Sequence, residues 1–383
     1  MGGTEVEKRR ILLGIDLGSS RTSVVSSEGY RGLIPSVVGY PRDIIAVKML
    51  GKTQVFGTEA LAEKRALVLY RPLFGLAAGE TKRDYNATCE LLRHVLELAL
   101  GVADSNGAGD EAANGETAPS ASAAPLSPAE IAGAGDGTDS QPGGCRPCVD
   151  GIIGVPARIT EAERHALRRL VSPLFTNVMV VSQPYLVAYR LQRLNASLIV
   201  DLGAGAVTVC AIRGGAPTAR DQAILPKAGD YLDERLQEVV GQSYPEVRIS
   251  LTQARQIKER YAFVGTPPEP VVVTLRARGK PKKYDLTSEL GSVCAGVVPD
   301  IVERLIGLLQ EFEPEDQERA LQNIYLTGGG SGIKGLAPMI AAELSEYGAV
   351  EVHCVNDPDY AGAEGALRLA QELSVGDWRE FGL

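Results

Sequence analysis

One fifteen-residue pattern occurs twice in this chain, and no other feature restricts its fold as strongly. Ile11-Leu12-Leu13-Gly14-Ile15-Asp16-Leu17-Gly18-Ser19-Ser20-Arg21-Thr22-Ser23-Val24-Val25 reads as an apolar strand, a tight polar turn holding one carboxylate, and a second β-prone strand. Ser197–Ala211 repeats it, with Asp201 on Asp16, Leu202 on Leu17, Gly203 on Gly18 and Val209 on Val24. A single Asp-Leu-Gly between two strands is an ordinary hairpin. Saying it twice predicts two related lobes, with the two turns facing each other across a cleft.

Length agrees with more than one lobe, since 383 residues correspond to two or three domains of about 150 residues each. With 44% hydrophobic and 23% charged residues the chain can build a large core. A net charge of −9 disfavours a nucleic-acid partner. Residues 1–10 lack an apolar signal region, and Val6 stands where a myristoylation start needs Ser or Thr. No apolar run approaches the roughly 20 residues that cross a bilayer, so a soluble cytoplasmic protein without a transmembrane segment is expected. Of six cysteines, Cys89, Cys210 and Cys294 lie in apolar or periodic segments and read as buried thiols. Cys145-Arg-Pro-Cys148 has half-site spacing but no second pair and no neighbouring histidines, which favours a structural role.

Along the chain, Leu33–Tyr40 reads as one short strand, Ile44–Leu50 with Val55-Phe56 as a β-meander, and 58–68 as a helix. Gly51-Lys52-Thr53 resembles the end of a P-loop, but Ala46 stands where its first glycine belongs, and that assignment fails. Helical spacing marks 88–100, with His94 on its surface. Large apolar residues then nearly vanish over 103–149, which reads as a disordered surface insertion before the strand at 151–155. Thr160 and Glu163 have capping-box spacing at the next helix start. Further helices are expected at 185–194, 228–236, 252–264 and, as one long helix, 294–312. A hairpin around Gly279-Lys280-Pro281 carries Arg276, Arg278, Lys280, Lys282 and Lys283, either a solvated tip or a contact for an acidic partner surface. Asn323–Thr327 leads into Gly328-Gly329-Gly330, where backbone can approach a flat ligand closely.

Two hairpins offering backbone donors and an Asp, plus a glycine-dense turn after a strand, suit a nucleoside triphosphate with a divalent metal. Asp16 and Asp201 are the candidates for Mg²⁺, held through waters because that ion dehydrates reluctantly.

The order of Asp16 hairpin, Gly154-Val155-Pro156, Asp201 hairpin, Gly328-Gly329-Gly330 turn and Gly362-Ala363 helix resembles the nucleotide-site segments of the actin/sugar kinase/heat-shock chaperone ATPase superfamily. Pro35-Ser36-Val37-Val38 is similar to MreB and the chaperone ATPases, and Ile257-Lys258-Glu259-Arg260 with Val264 to the adenosine-contacting helix of actin. Ser36–Asp43, Gly154-Val-Pro-Ala-Arg158, Lys227–Gln237 and Gly365–Ala370 are similar nearly word for word to the magnetosome-organising bacterial actins. That resemblance implies an α/β, actin-like two-lobed fold of duplicated RNase H-like cores, with four subdomains and a nucleotide cleft between the lobes. Subdomain IA would comprise 10–37, 84–196 and 353–383, IB 38–83, IIA 197–223 and 290–352, and IIB 224–289.

It also implies an ATP-binding protein, with ADP as product, that hydrolyses ATP while polymerising with itself into cytoplasmic, cytoskeletal filaments. These would run alongside magnetosome membranes, with magnetosome-associated proteins as further partners. Carried residue by residue, nucleotide contacts fall on Asp16, Gly18, Ser19, Ser20, Arg21, Asp201, Gly203, Ala204, Gly205, Lys258, Glu259, Gly328, Gly329, Gly330 and Ile333. Catalytic roles fall on Glu163, Gln183 and Asp201, with Glu163 equally well a helix-capping acid.

Two departures bear on the rate. Gln183 stands where the pattern has Glu, and a neutral amide orients a water without taking its proton. Gly205-Ala206-Val207-Thr208 replaces Gly-Thr-Thr-Asp, which removes two hydroxyls and a carboxylate from the second turn. A non-catalytic nucleotide-binding scaffold and a small-molecule kinase on the same fold remain the alternatives. Because a segment without large apolar residues carries no core, deleting 105–145 is expected to leave assembly intact. Sedimentation of the deleted chain checks this, and loss of pelleting contradicts it.

Overall fold

The apolar run at the N-terminus becomes strand β1 (Arg10–Leu17), whose Ile11, Leu13, Ile15 and Leu17 are at most 2% exposed. The computed structural model describes residues 9–72, 82–101, 148–157 and 159–381. The chain divides into two units, 1–186 with 362–383, and 187–361. The expected lobe boundaries were 196/197 and 352/353.

In the first unit β1, β2 (Arg21–Ser26) and β3 (Arg31–Pro35) form an antiparallel meander. Then come β4 (Val38–Pro41), α1 (Ile44–Leu50), β5 (Val55–Phe56), α2 (Gly57–Ala62) and β6 (Leu67–Tyr70), whose strands make a small sheet of order β5-β4-β6. Helix α3 (Lys82–Ala99) buries Leu91, Leu92, Val95 and Leu96 completely among the β1 side chains, which fixes its register. Next follow β7 (Cys148–Val155), α4 (Glu161–Val171), β8 (Asn177–Ser182) and α5 (Gln183–Leu191). The main sheet has order β3-β2-β1-β7-β8, with β7 parallel to β1 and β8 parallel to β7.

The second unit repeats this plan. Strands β9 (Ser197–Leu202), β10 (Val207–Ile212) and β11 (Gln222–Leu225) form the meander, followed by α6 (Gly229–Ser243) and α7 (Leu251–Tyr261). A separate hairpin, β12 (Val272–Ala277) and β13 (Lys280–Asp285), precedes α8 (Thr287–Ala295), α9 (Val298–Leu309) and α10 (Pro314–Leu321). Strand β14 (Ile324–Thr327), α11 (Leu336–Glu343) and β15 (Val352–Cys354) complete a sheet of order β11-β10-β9-β14-β15, again antiparallel then parallel. Order and strand direction match the first sheet throughout, so the sequence repeat is a structural duplication. The chain then passes into α12 (Ala361–Glu372) and α13 (Val375–Phe381), where buried Ala366, Ala370 and Trp378 pack on Ile152 and Leu186 of the first unit.

Several local expectations fail, each for an identifiable reason. Ile44–Leu50 is helix α1, not part of a meander. Its ends decide it: Asp43 accepts from Ala46 N at 2.8 Å as N-cap, and Gly51 at φ 64° closes the C-terminus. The helix expected at 58–68 stops at Ala62, because Leu67–Tyr70 pairs with β4. Leu33–Tyr40 splits into β3 and β4, which belong to different sheets, with Ser36 turned away between them. The long helix at 294–312 is two helices, broken near Gly296 by Pro299, whose ring nitrogen has no hydrogen to give the preceding turn. The insertion ends earlier than 149: Cys148 and Val149 already pair with Arg10 and Ile11. Its remainder, including Cys145, lies outside the described residues.

The first unit is packed closely enough to exclude a methyl group. A Cβ at Gly365 would lie 1.9 Å from Leu186 O, whereas one at Gly307, on the exposed face of α9, meets nothing within 4 Å. Gly365→Ala is therefore expected to destabilise by about 1–3 kcal/mol, as overpacking does. Gly307→Ala should stabilise by about 0.5–1 kcal/mol through helix propensity. Opposite shifts of the melting midpoint check the pair.

Candidate functional site

Each unit carries its Asp-Leu-Gly turn at the carboxyl end of the central antiparallel strand. In the first, Gly18 N donates to Arg21 O at 3.1 Å and closes the turn. Ser36 N donates to Ser20 O at 2.8 Å, and the Ser36 and Thr22 hydroxyls bond at 2.8 Å, so the break between β3 and β4 braces the turn. The N–H groups of Ser19 and Ser20 find no protein acceptor among the described residues. They lie half-buried and open to a ligand anion, as such turn amides do. Arg21 is exposed beside them.

Below this turn Asp16 is 6% exposed. Gln183, first residue of α5, donates Nε2 to Asp16 Oδ2 at 3.0 Å. Gly362 lies so close that a Cβ there would sit 2.4 Å from the same oxygen. Glu163 is engaged in the expected capping box: Oε2 accepts Thr160 N and Oγ1, each at 2.7 Å.

The second turn is built alike and braced differently. Gly203 N donates to Ala206 O at 3.1 Å, while Gly203 O and Ala204 O accept Gly229 N and Asp230 N at 3.1 and 2.8 Å. The start of α6 therefore holds the turn from behind. The N–H groups of Ala204 and Gly205 have no protein acceptor among the described residues. Lys258 Nζ reaches Gly229 O and Asp233 Oδ1, both at 2.6 Å, and Arg255 Nε reaches Asp233 Oδ2 at 2.8 Å. Asp233, its side chain 2% exposed, thus anchors both cations to the helix that carries the turn. Glu259 is exposed on α7. Of the three consecutive glycines, Gly328 and Gly330 pack on Asp201 and Leu202, while Gly329 is exposed and faces open space. Ile333 is 7% exposed, its side chain in the core of this unit.

Asp201 is as deeply buried as Asp16, without a side-chain donor of the kind Gln183 supplies there. It is 6% exposed, and its Oδ1 is buried with no hydrogen-bond partner. Gly328, at φ 75°, fits against that oxygen, where a Cβ would approach to 2.5 Å. Burial pushes the Asp201 carboxyl from its ordinary 3.8 up to about 7. A buried carboxylate oxygen without a donor is a fitting ligand for a cation. Among the described residues no group of three His, Cys, Asp or Glu side chains gathers to hold a metal. Mg²⁺ at Asp201 or Asp16 would therefore complete its shell with waters and phosphate oxygens, which is its habit.

Sequence reasoning missed Ser36 as the brace of the first turn, Asp233 as the anchor of Lys258, and Gly362 as the residue pressed on Asp16. The available signals were the Pro35-Ser36 break in a β-prone run and the Asp230/Asp233 spacing that puts two acids on one face of α6.

The chain is similar to known proteins over nearly its whole length. A profile of the MreB/Mbl protein family matches residues 146–376. The actin-like protein MamK of Paramagnetospirillum magneticum is 38% identical over 376 residues, covering 98% of this chain and 96% of that protein. MamK of Magnetospirillum gryphiswaldense is also 38% identical over 376 residues, covering 98% of this chain and 93% of its own length. Among solved structures, the MamK double helical filament is similar with TM-score 0.80 and 37% identity, over 96% of this chain and 100% of that one. A non-polymerising MamK mutant bound to AMPPNP is similar with TM-score 0.71 and 37% identity, over 95% and 100%. The fold is the actin-like one. Among the described residues no helix is long and apolar enough to cross a membrane.

The Asp201 environment has a pH consequence. Its folded pKa, about 7, lies above the unfolded one, so the favourable protonated contribution is complete below about pH 4 and lost as pH rises through 7. Asp201→Asn is expected to melt higher than wild type at pH 8, by roughly 2–4 °C for each kcal/mol gained. The gap should narrow as pH falls from 7 towards 5 and close only near pH 4. Melting curves across that range check it, and a gap independent of pH contradicts it.

Proposed function

The chain belongs to the MreB/Mbl family of actin-like proteins and within it to the MamK group, and from that premise we propose that it binds ATP and assembles with itself into filaments. One observation carries the nucleotide part of this reading: each unit holds a buried carboxylate beneath a turn whose N–H groups have no protein acceptor among the described residues. Ser19, Ser20, Ala204 and Gly205 amides bind phosphate oxygens, and Lys258, held by Asp233, adds positive charge behind the second turn. Asp201 is the carboxylate for Mg²⁺, with Asp16 as its counterpart in the first unit. When bound, Mg²⁺ neutralises phosphate charge and favours transfer of the terminal phosphoryl group to water.

Hydrolysis is the slower part of this function. Gln183 is tied to Asp16 through Nε2, which leaves its carbonyl oxygen to accept from a water and orient it. An amide has no basicity for the proton, and Glu163 Oε2 is already shared with Thr160. The second turn has Ala206 and Val207 in place of hydroxyls, so its phosphate contacts come from backbone alone. These features favour a slow ATPase whose filaments outlast the nucleotide, and they also support the scaffold reading if turnover is absent. Positioning of magnetosomes is the cellular role proposed from the MamK relatives, with ATP-driven assembly as its basis.

With ATP and Mg²⁺ at micromolar concentration the chain is expected to sediment and to show filaments by negative-stain microscopy. Only monomers under those conditions would refute assembly. Phosphate release should exceed that of Asp201→Ala by at least about tenfold, equivalent to about 1.4 kcal/mol in the barrier. Equal release from both favours the scaffold.

A further inference from the structure

Helix α4 carries Arg164, His165, Arg168 and Arg169 outside its buried face, in a chain of net charge −9. Burial of Glu163, Leu167 and Val171 fixes how the helix lies. Arg164 and Arg168 therefore form one row along its flank, and His165 and Arg169 a second row along its crest. Within each row the spacing is four residues, about 6 Å along the axis. His165 and Arg169 are exposed, and Arg164 and Arg168 are half-buried. Neighbouring α3 adds exposed Arg93, one turn from Cys89, whose Sγ lies 3.9 Å from Leu170 O.

Little in the fold answers these groups. Glu161 Oε1 lies 3.2 Å from Arg164 Nη1, while Arg93, His165, Arg168 and Arg169 make no ion pair among the described residues. Arg164 Nε, Arg168 Nε and Arg168 Nη2 are buried with no hydrogen-bond partner. Buried N–H groups are nearly always bonded, and stranding those of a cation is costly. The helix dipole accounts for cations in the last turn, at 168 and 169. It does not account for like charges at 164 and 168, which repel at this spacing, nor for donors left without acceptors. Methionine at either position would keep the apolar stem and the helix propensity without the stranded donors. Stability of the isolated fold therefore does not explain the two arginines.

We infer that this face of α4 binds an extended acidic peptide of a partner protein. The two guanidinium groups turn outward on their flexible stems and receive carboxylates in the bidentate form that suits their fork. Alternate residues of an extended chain project to one side about 6.6 Å apart, close to the rise of about 6 Å between Arg164 and Arg168. Acids at every second position of the peptide thus meet one row of the helix. Ala162 and Ala166, beside the crest, are small enough to let a peptide backbone lie close.

Other polyanions fit this face less well. Helix α4 carries no aromatic side chain on which a base would stack, as single-stranded nucleic acid requires. It also presents no exposed large apolar residue to enter a bilayer. The contact involves neither of the nucleotide turns, so it stands or falls apart from ATP binding and assembly.

A labelled poly-glutamate peptide of about ten residues overruns the roughly 17 Å of α4 and serves as the probe. Fluorescence anisotropy with the wild-type chain should show saturable binding that weakens with salt. Arg164→Met with Arg168→Met should weaken binding at least tenfold while melting no lower than wild type. Arg168→Lys, which keeps the charge without the fork, should fall between the two. Lys280→Gln with Lys283→Gln removes as much charge from the β12–β13 hairpin and should bind like wild type. Equal losses from both double variants would mean attraction to any exposed cation, and they overturn the site. So does a methionine variant that binds normally, or a wild-type chain that does not bind. Binding seen only after deletion of 105–145 assigns the face to the chain's own acidic residues and overturns the partner. An α4 variant that keeps the peptide but loses sedimentation with ATP and Mg²⁺ makes the face a contact between copies and overturns it as well. Loss confined to flotation with phosphatidylglycerol vesicles does the same in favour of a membrane.

Discussion

A carboxylate buried at the end of a central strand is the interaction on which the rest of this structure depends. Asp16 and Asp201 are each 6% exposed, and burying a charge is costly unless something opposite or polar answers it. Around Asp16 the answer comes from this chain, in the Gln183 amide. Around Asp201 one oxygen has no partner, and the carboxyl is pushed up to about 7. The two copies of one motif have thus diverged in one respect: Asp16 Oδ2 accepts from the Gln183 side chain, and no such donor reaches Asp201 Oδ1. An apolar residue at Asp201 would suit the isolated fold better.

Holding such groups requires exact backbone approach, and that governs much of the surrounding packing. Gly362 at the start of α12 rests on Asp16, and Gly328 at the end of β14 rests on Asp201. In both units a helix or strand from much later in the chain supplies the wall of the carboxylate pocket. The turn amides are held from outside as well, by Ser36 in the first unit and by the start of α6 in the second. Lys258 and Arg255 converge on buried Asp233, so the cations behind the second turn are kept in place by a negative charge of the chain itself.

Much of this was legible in the amino-acid order. The duplication, the strand-turn-strand form of both hairpins, the capping box at Thr160 and Glu163, and the glycine turn at 328–330 all follow from short-range pattern. What misled was equally local. Ile44–Leu50 carries β-prone residues without clear periodicity, and caps at Asp43 and Gly51 outweighed them. Pro299 divided a stretch whose apolar spacing alone looked continuous. Ser36 looked like one more residue in a strand, because its bond to Ser20 joins positions that only folding brings together.

The sequence by itself determined that two homologous halves exist, that each presents an Asp beneath a polar turn, and that a cluster of cations caps one hairpin. Those properties reside in residue type and spacing along the chain, and period-2 patterning and turn chemistry express them directly. Only the tertiary structure decided that Gln183 donates to Asp16 Oδ2, that Gly328 presses on Asp201, and that Lys258 is bound to Asp233. Each of these depends on distance between residues far apart in sequence. Burial and partner geometry, not residue identity, set the charge state of a carboxylate and the availability of a cation.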